Sequence, residues 1–353
     1  MSCKGALTAA ACALILAAPA AAARLDFTGV SDGNIGHQPP ERSNPHLAAI
    51  QASVTMAWVT WDDGQTSLTP KQTAYLNGHN QLAGEMVPII KPRYAKGGTG
   101  IYPRTVGRRE QFCSLVADVV ARYRPVAVQV ANEPNGPGFF GPAEGAAADY
   151  TLLLRVCYPK VKAASPATLV IGPSLNPVTH PARFIRSMGA YYRNLHVNER
   201  ILDIYTHHPY PRHGLEPPDK LHPGRWIGMG DVADLRSAIR QAFKGTIQGR
   251  VPLVIWWTET GVAGPGETPS WLAGNPDPIG WYARAHYLAA CQRNVRGFFG
   301  FPLLSDPPSS MAWRAGYLHD NWVEKGNLAR IGDKVKRSRE GTLGCGGFAE
   351  AVK

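Results

Sequence analysis

Short apolar strands and amphipathic helices alternate through nearly the whole chain. Each unit has a β-branched or aromatic run, a loop rich in Gly, Pro or Asn, and then a stretch with helical periodicity. This order predicts parallel strands joined by helical crossovers. Eight units in 353 residues fit a single (β/α)8 TIM barrel, an α/β fold, better than an open sheet. The predicted strands are 25–29, 55–61, 86–91, 126–132, 169–172, 202–208, 253–259 and 297–303, and the clearest helices are 108–123, 143–164, 181–196, 232–244 and 280–293.

A dinucleotide-binding open sheet is the main alternative to a barrel, and its fingerprint is missing from the sequence. The glycine-rich loop at residues 97–100 lacks the GxGxxG spacing, and no GxxxxGK[ST] sequence occurs. Pro and Gly are dense in segments 209–230 and 261–278, which follow the sixth and seventh predicted strands. Barrels place their active sites on loops at this end. We therefore expect no cofactor and a site at the carboxyl ends of the strands.

The first 23 residues have the pattern of a secretory signal peptide. Lys4 gives a positive start, residues 6–19 are almost wholly apolar, and residues 20–23 are all alanine. A lipoprotein signal at Cys12 is disfavoured because Ala9 stands where such signals carry leucine. The segment is too short to span a membrane comfortably, and no later run is apolar for long enough. We expect a secreted or periplasmic protein with a mature catalytic domain at residues 24–353.

The chain is basic, with 37 Lys and Arg against 26 Asp and Glu and a formal charge of +11. Such a charge attracts nucleic acid, anionic membranes or acidic polysaccharide. The basic residues are scattered except at Lys334, Lys336, Arg337 and Arg339, where no aromatic residues are interleaved. We interpret this cluster as a solvated C-terminal tail. We expect no nucleic acid partner, no membrane span and a monomer.

Four cysteines remain after removal of the signal segment, which suggests two disulfides in an exported protein. Cys113 and Cys157 lie in consecutive predicted helices, which are neighbours around a barrel. Their pairing leaves Cys291 to join Cys345 and hold the C-terminal segment against the barrel wall. Buried free thiols are the alternative. A zinc or redox site is not expected, because the sequence contains no CxxC pair.

Two glutamates mark the ends of the fourth and seventh predicted strands. In the fourth strand, VAVQVANEP, alternation places Ala131 and Glu133 on the inner face, and the following proline predicts an extended backbone at Glu133. In the seventh, VPLVIWWTETG, the same rule places Trp257 and Glu259 on one face. A carboxylate ending an uncharged strand is costly to bury without partners or a function. These strands are three apart in a ring of eight, so the glutamates face each other across the mouth.

The sixth predicted strand, LDIYTHHPYP, adds polar residues beside them. Alternation directs His208 and Tyr210 toward the mouth next to Glu259, and gives His207 a structural position on the opposite face. Polar packing under a loop is the alternative for His208 and Tyr210. We expect no metal ion, because the histidines of this region lack the spacing of a recognised ligand motif.

Together these strand ends resemble those of clan A glycoside hydrolase barrels, in particular families 39 and 5. The matching residues are Asn132-Glu133-Pro134, His208-Pro209-Tyr210 and Glu259. The resemblance covers the whole mature chain as an architecture and implies a retaining β-glycosidase acting on an oligosaccharide or polysaccharide. It implies Glu133 as acid/base and Glu259 as nucleophile. It also implies that Asn132 binds near the sugar 2-hydroxyl and that Tyr210 orients the nucleophile.

The chemistry of retention needs one protonated and one ionised carboxyl group. We predict that the charge of Glu259 keeps Glu133 protonated, because like charges this close resist joint ionisation. Aromatic rings near the mouth are candidate platforms for the carbohydrate, with core packing as the alternative for each. The candidates are Trp61, Trp226, Trp257 and Trp271.

Two positions depart from the family pattern. An arginine common on the second strand has no counterpart in residues 56–61, and Arg93 after the third strand is a candidate substitute. A tryptophan common at the end of the eighth strand is replaced by residues 298–301, FFGF. The missing arginine favours a second class of function, a carbohydrate-binding barrel without turnover. The presence of both Glu133 and Glu259 favours the enzyme.

Overall fold

The computed structural model describes residues 24–95, 100–196, 198–267, 274–308 and 314–348. The predicted signal segment, Trp271 and most of the glycine-rich loop lie outside these ranges. Eight parallel strands close into one barrel, in sequence order, with the last strand paired to the first. The strands are β1 (Phe27–Ser31), β2 (Val54–Trp61), β3 (Glu85–Pro92), β4 (Ala127–Val130), β5 (Leu169–Leu175), β6 (Ile204–His207), β7 (Ile255–Trp257) and β8 (Val295–Gly300). The predicted (β/α)8 TIM barrel is confirmed.

Within the described ranges, ten α-helices connect or cover the strands. They are α1 (Pro40–Ala49), α2 (Pro70–His79), α3 (Val106–Tyr123), α4 (Pro137–Phe140), α5 (Ala146–Ala164), α6 (Pro181–Asn194), α7 (Val232–Phe243), α8 (Ile247–Arg250), α9 (Pro278–Cys291) and α10 (Ala329–Arg339). Helices α4 and α8 are single turns, and the other eight each follow one strand. The five helices predicted from sequence are all present with small shifts at their ends.

Local sequence explains where several helices begin. The Thr69 side chain accepts a hydrogen bond from the Gln72 amide, and the Gln72 side chain accepts one from the Thr69 amide, which forms a capping box for α2. Thr105 caps α3 in the same way through the amide of Arg108. Proline occupies the first position of several other helices, where its missing N–H costs nothing.

The barrel has an inner core and an outer core. Side chains such as Met56, Ile89 and Trp256 fill the barrel interior, while a larger cluster lies between strands and helices. On β7 the inner residue is Trp256, and Trp257 packs in the outer cluster. The face prediction for the seventh strand is therefore wrong. The two adjacent tryptophans made the apolar pattern the same in either register, so sequence alternation alone did not identify the inner face.

Two disulfides join outer elements of the barrel. Cys113 on α3 bonds to Cys157 on α5, with 4.7 Å between their Cα atoms. Cys291 at the end of α9 bonds to Cys345 beyond α10, with a Cα separation of 5.6 Å. The predicted pairing is confirmed, and it fits an extracellular protein. Among the described residues, no helix has both the length and the apolar character that crossing a membrane requires.

The basic cluster near the C-terminus lies in helix α10 and not in a solvated tail. Ile331 and Val335 on this helix are buried against the barrel. Ser338 accepts a hydrogen bond from the Leu25 amide, and Arg339 donates one to Thr28 at the start of β1. The amphipathic spacing of these apolar residues explains why this charged segment forms helix α10 and packs on the barrel.

Candidate active site

Glu133 reaches the barrel mouth through a turn in left-handed backbone. Strand β4 ends at Val130, and both Ala131 (φ 62°) and Glu133 (φ 43°) have positive φ, which is uncommon for residues other than glycine. The Glu133 amide donates to the carbonyl of Ser174 on β5, at 3.1 Å. The prediction of extended backbone at Glu133 is wrong, and Ala131 packs in the outer core. Backbone strain of this kind is concentrated at functional sites.

Glu259 also lies just beyond the end of its strand. The preceding residue, Thr258, points inward like Trp256 and donates to Ser174 at 3.3 Å, so alternation is broken between Thr258 and Glu259. Glu259 is only 4% exposed. Its Oε2 accepts a hydrogen bond from the Tyr210 hydroxyl at 3.2 Å, and its Oε1 one from Ser31 at 3.5 Å.

His208 lies between the two carboxyl groups. Its Nδ1 is 2.9 Å from Oε1 of Glu133 and 3.5 Å from Oε2 of Glu259. A carboxyl oxygen from each glutamate and this nitrogen all lie within 4.8 Å of one another. The three predicted residues therefore form one group. At least one oxygen of Glu133 therefore lies within 4.8 Å of an oxygen of Glu259.

Amide side chains complete the surroundings of Glu133. Asn132 accepts a hydrogen bond at its Oδ1 from Gln129 at 3.1 Å, and this leaves its Nδ2 donors without a partner among the described residues. Asn176, which follows β5, donates from Nδ2 to Oε2 of Glu133 at 3.4 Å. Asn176 was not predicted from the sequence. Its position directly after an apolar strand is the sequence feature that could have identified it as a site residue.

Burial governs the charge state of this group. It raises the pKa of Glu259 to about 7, against the opposing influence of a charged His208. Burial alone lowers the pKa of His208, but the charges of Glu259 and Glu133 outweigh it, and the net effect raises that pKa. Burial also raises the pKa of Tyr210 well above 10, so the phenol remains a neutral donor. The raised pKa of Glu259 follows from its position, because Glu259 is the more deeply buried of the two carboxyl groups.

Lys91 is a second cation whose charge acts on these carboxyl groups, after His208, and it was not predicted from the sequence. Lys91 is the last inward residue of β3 and is 9% exposed. Its charge lowers the pKa of Glu259, the smallest of the influences on that group. Arg93, the candidate substitute for the missing arginine, is wrong in that role. Its exposed guanidinium pairs with Asp62 at 2.9 Å on the surface.

The aromatic ring at the mouth is Trp58, which was also missed. Its ring stacks on Phe301 at 5.3 Å with an interplanar angle of 1°, and its Nε1 donates to Ser31 at 3.1 Å. It is partly exposed. Trp58 shares the inner face of β2 with Met56, so alternation along that strand was the signal that would have found it.

Two of the predicted platform tryptophans lie elsewhere. Trp61 is 1% exposed and packs edge-on against Phe112 in the outer core. Trp257 is fully buried, and its Nε1 donates to Gln292 at 2.9 Å. Neither ring is available to a sugar. Trp226 lies beside the site, because its Nε1 donates to the backbone carbonyl of Tyr210 at 3.0 Å.

The same three central side chains have a spacing compatible with a metal ion. Glu133, His208 and Glu259 each offer one ligand atom within 4.8 Å of the others. The 2.9 Å contact from His208 to Glu133 is an ordinary hydrogen-bond length, and it accounts for the arrangement without an ion.

The (β/α)8 barrel of this chain is also the fold of several solved glycoside hydrolase structures. No protein-family model and no curated protein sequence matches the chain. Among solved structures, a family 39 glycoside hydrolase from Bacteroides cellulosilyticus WH2 is 18% identical with a TM-score of 0.62, over 90% of this chain and 64% of that protein. A monomeric β-xylosidase from Caulobacter crescentus CB15 is 17% identical with a TM-score of 0.58, over 89% and 68%. A family 5 enzyme from Streptomyces cattleya, GH5_18 in complex with GlcNAc, is 13% identical with a TM-score of 0.60, over 90% and 81%.

These similarities establish a shared fold. The chain spans less than two thirds of the length of the Bacteroides enzyme. The site residues of this chain therefore have to support a function on their own geometry.

Proposed function

We propose that this protein is a retaining β-glycoside hydrolase that acts on an oligosaccharide or polysaccharide. The observation that supports this most directly is the close pairing of Glu133 and Glu259 at the ends of β4 and β7, with His208 bridging them. The fold shared with family 39 and family 5 hydrolases agrees with this proposal. Carboxyl groups about 5–5.5 Å apart are typical of double displacement.

In the first step Glu259 acts as the nucleophile. Its carboxylate oxygen forms a bond to the anomeric carbon while the bond from that carbon to the leaving oxygen breaks. Glu133 donates its proton to the leaving oxygen, so the aglycone departs as a neutral alcohol. Tyr210 donates a hydrogen bond to Oε2 of Glu259 and directs the carboxylate without neutralising it.

In the second step Glu133 acts as a base. It removes a proton from water, whose oxygen attacks the anomeric carbon and displaces Glu259 as a carboxylate. His208 contacts both carboxyl groups, so it stabilises whichever of them is ionised as the proton moves. Asn132 has free amide donors beside Glu133, in position for a sugar hydroxyl.

Residues 1–23 are, in this proposal, a signal peptide that is removed on export. The two disulfides are consistent with an oxidising compartment. The mature protein is proposed to act as a monomer without a cofactor. Its substrate is carbohydrate, with Trp58 as the aromatic surface at the cleavage site.

The activity is tested with a panel of 4-nitrophenyl β-glycosides and β-linked polysaccharides, followed by product analysis. Hydrolysis that is abolished in Glu259→Ala, with the fold retained, is the expected result. Trp257→Phe is the matched control, because it alters a buried residue of the same strand region that lies outside the mouth. Binding of a glycan without cleavage by the unaltered protein would contradict the proposal and favour a carbohydrate-binding barrel.

A further inference from the structure

One cation at the mouth contacts an aromatic ring but, among the described residues, no anion. Lys91 is about nine-tenths buried, yet within the described part of the chain its Nζ forms no ion pair and no hydrogen bond. Lysine is almost never buried in this way unless it is paired, because removing an unpaired charge from water is costly. The buried side chain of Lys325 shows the usual solution, since it pairs with Glu267. The missing partner of Lys91 is therefore most simply a ligand.

The position of Lys91 identifies which part of a ligand it would meet. Its Nζ lies over the ring of Trp58, 5.0 Å from the centroid. The Nε1 of Trp58 donates to Ser31, and Ser31 in turn contacts Glu259. Lys91, Trp58 and the proposed nucleophile are thus linked by a continuous series of contacts. An anion bound at Nζ would be part of the sugar that Glu259 attacks, or of the sugar next to it.

We propose that Lys91 binds a sugar carboxylate, and that the substrate is a β-linked glycoside containing a uronic acid. This inference rests on the proposed hydrolase function and names its substrate class. An ammonium and a carboxylate form a charge-assisted hydrogen bond, which is strong where water is excluded. Burial lowers the pKa of Lys91, and an anion in contact with its ammonium group would raise that pKa again.

The rim of the mouth agrees with an acidic substrate. The exposed guanidinium of Arg212 lies over the ring of Trp226, at 5.6 Å from its centroid, and Trp226 contacts the backbone of Tyr210. The whole chain has a formal charge of +11. A polymer of uronic acids is a polyanion, and a positive protein raises its local concentration and its rate of association.

The alternative role for Lys91 is to adjust the ionisation of Glu259 without touching substrate. The two roles differ in their consequences. If Lys91 only adjusts the ionisation of Glu259, its removal changes kcat/KM equally for every substrate, because every substrate needs the same nucleophile. If Lys91 binds an anion of the substrate, its removal changes kcat/KM only for substrates that have that anion.

The test compares kcat/KM for 4-nitrophenyl β-glucuronide and β-galacturonide with the matching β-glucoside and β-galactoside. We expect an acidic substrate to be preferred over its neutral partner. We expect Lys91→Met to reduce kcat/KM on the preferred acidic substrate by on the order of 100-fold, the usual effect of removing one member of a buried charge pair. For the matching neutral glycoside, kcat/KM should change by less than about threefold, because that substrate has no anion for Lys91 to bind. Equal losses on both substrates, or a preference for the neutral glycoside, would overturn the proposal.

Arg93→Met is the matched control. It removes a positive charge two positions further along the chain, but Arg93 is exposed and already paired with Asp62. It should leave the acidic preference intact. Thermal unfolding of Lys91→Met provides a check on folding, and we expect the variant to be at least as stable as the unaltered protein because a buried unpaired charge has been removed. A 6-sulfated β-glucoside distinguishes the anions, and a preference for it over the uronides would overturn the assignment to a carboxylate.

Binding separates this inference from the proposed hydrolysis. Calorimetry with glucuronate and galacturonate on Glu133→Gln needs no turnover. Binding of a uronate that is lost on adding Lys91→Met would support the inference even if no glycoside were cleaved. Cleavage of neutral glycosides with no uronate binding would retain the hydrolase and overturn the inference.

Discussion

Glu259 combines deep burial with a requirement to be ionised. Its pKa of about 7 lies well above that of a solvated glutamate, about 4.3, because few polar groups replace the water lost on burial. Tyr210, Ser31 and His208 supply the contacts that partly offset this. In the proposed reaction, a nucleophile that is costly to ionise is also a reactive one, so the burial that lowers stability would favour catalysis.

The cost of ionising Glu259 predicts a pH-dependent effect of Glu259→Gln on stability. A carboxyl group whose folded pKa is raised stabilises the fold below its unfolded pKa, and this contribution is lost as the pH rises through the folded value. The interval is therefore from about pH 4 to about pH 7. We expect Glu259→Gln to gain up to about 3 kcal/mol over the unaltered protein at pH 8 and much less at pH 4. Urea denaturation at the two pH values measures this, and a constant difference would contradict the raised pKa.

Glu133 is expected to show its role through the leaving group. An activated leaving group such as 2,4-dinitrophenolate needs little protonation, so Glu133→Ala should lose far less activity on it than on an alkyl glycoside. The loss on the alkyl glycoside should be about 100-fold or more, the usual contribution of general acid catalysis. Initial rates on the two substrates provide the ratio. The same loss on both would assign Glu133 a different role.

At the scale of strands and helices, the sequence pattern predicts the barrel order and the strand that bears each functional group. The prediction fails where the strands end. Alternation assumes an extended backbone, but left-handed residues follow β4, and β7 ends two residues before Glu259. The backbone conformation beyond each strand brings Glu133 and Glu259 to the mouth, and the two-residue alternation of a strand does not predict that conformation.

The aromatic residues show the same limit. Trp58 and Trp61 are on one strand, and only their parity distinguishes a ring at the mouth from one in the outer core. Lys91 gave no signal at all, because a single lysine in the apolar segment EMVPIIKP has the appearance of a solvated strand end. Its burial depends on the neighbouring strands and on Trp58, which are distant in sequence.

The placement of the tryptophans predicts opposite effects for two substitutions. Trp58→Ala should raise KM about tenfold or more, because it removes the aromatic surface beside Glu259 and the contact with Phe301. Trp257→Phe should leave KM unchanged and lower the melting temperature, because it deletes a buried hydrogen bond to Gln292. Steady-state kinetics and thermal unfolding of both variants test the assignment. A larger KM effect at Trp257 would reverse it.

At the scale of the whole molecule, the barrel brings together groups from most of its strands. Ser31, Trp58, Lys91, Glu133, His208 and Glu259 come from the ends of β1, β2, β3, β4, β6 and β7 or the loops that follow them. Rigid strands fix the origin of each side chain, and the loops determine the chemistry. Both disulfides join outer elements of the barrel, and helix α10 binds the segment before β1, so they stabilise the scaffold.

The stereochemistry of hydrolysis is the most direct test of the central claim that Glu259 is a nucleophile. Proton NMR follows the first anomer released from the best aryl β-glycoside, before mutarotation. Double displacement inverts the anomeric carbon twice, so the account predicts that the β-anomer of the free sugar appears first. Appearance of the α-anomer first would show a single displacement by water and would contradict the assignment of Glu133 and Glu259.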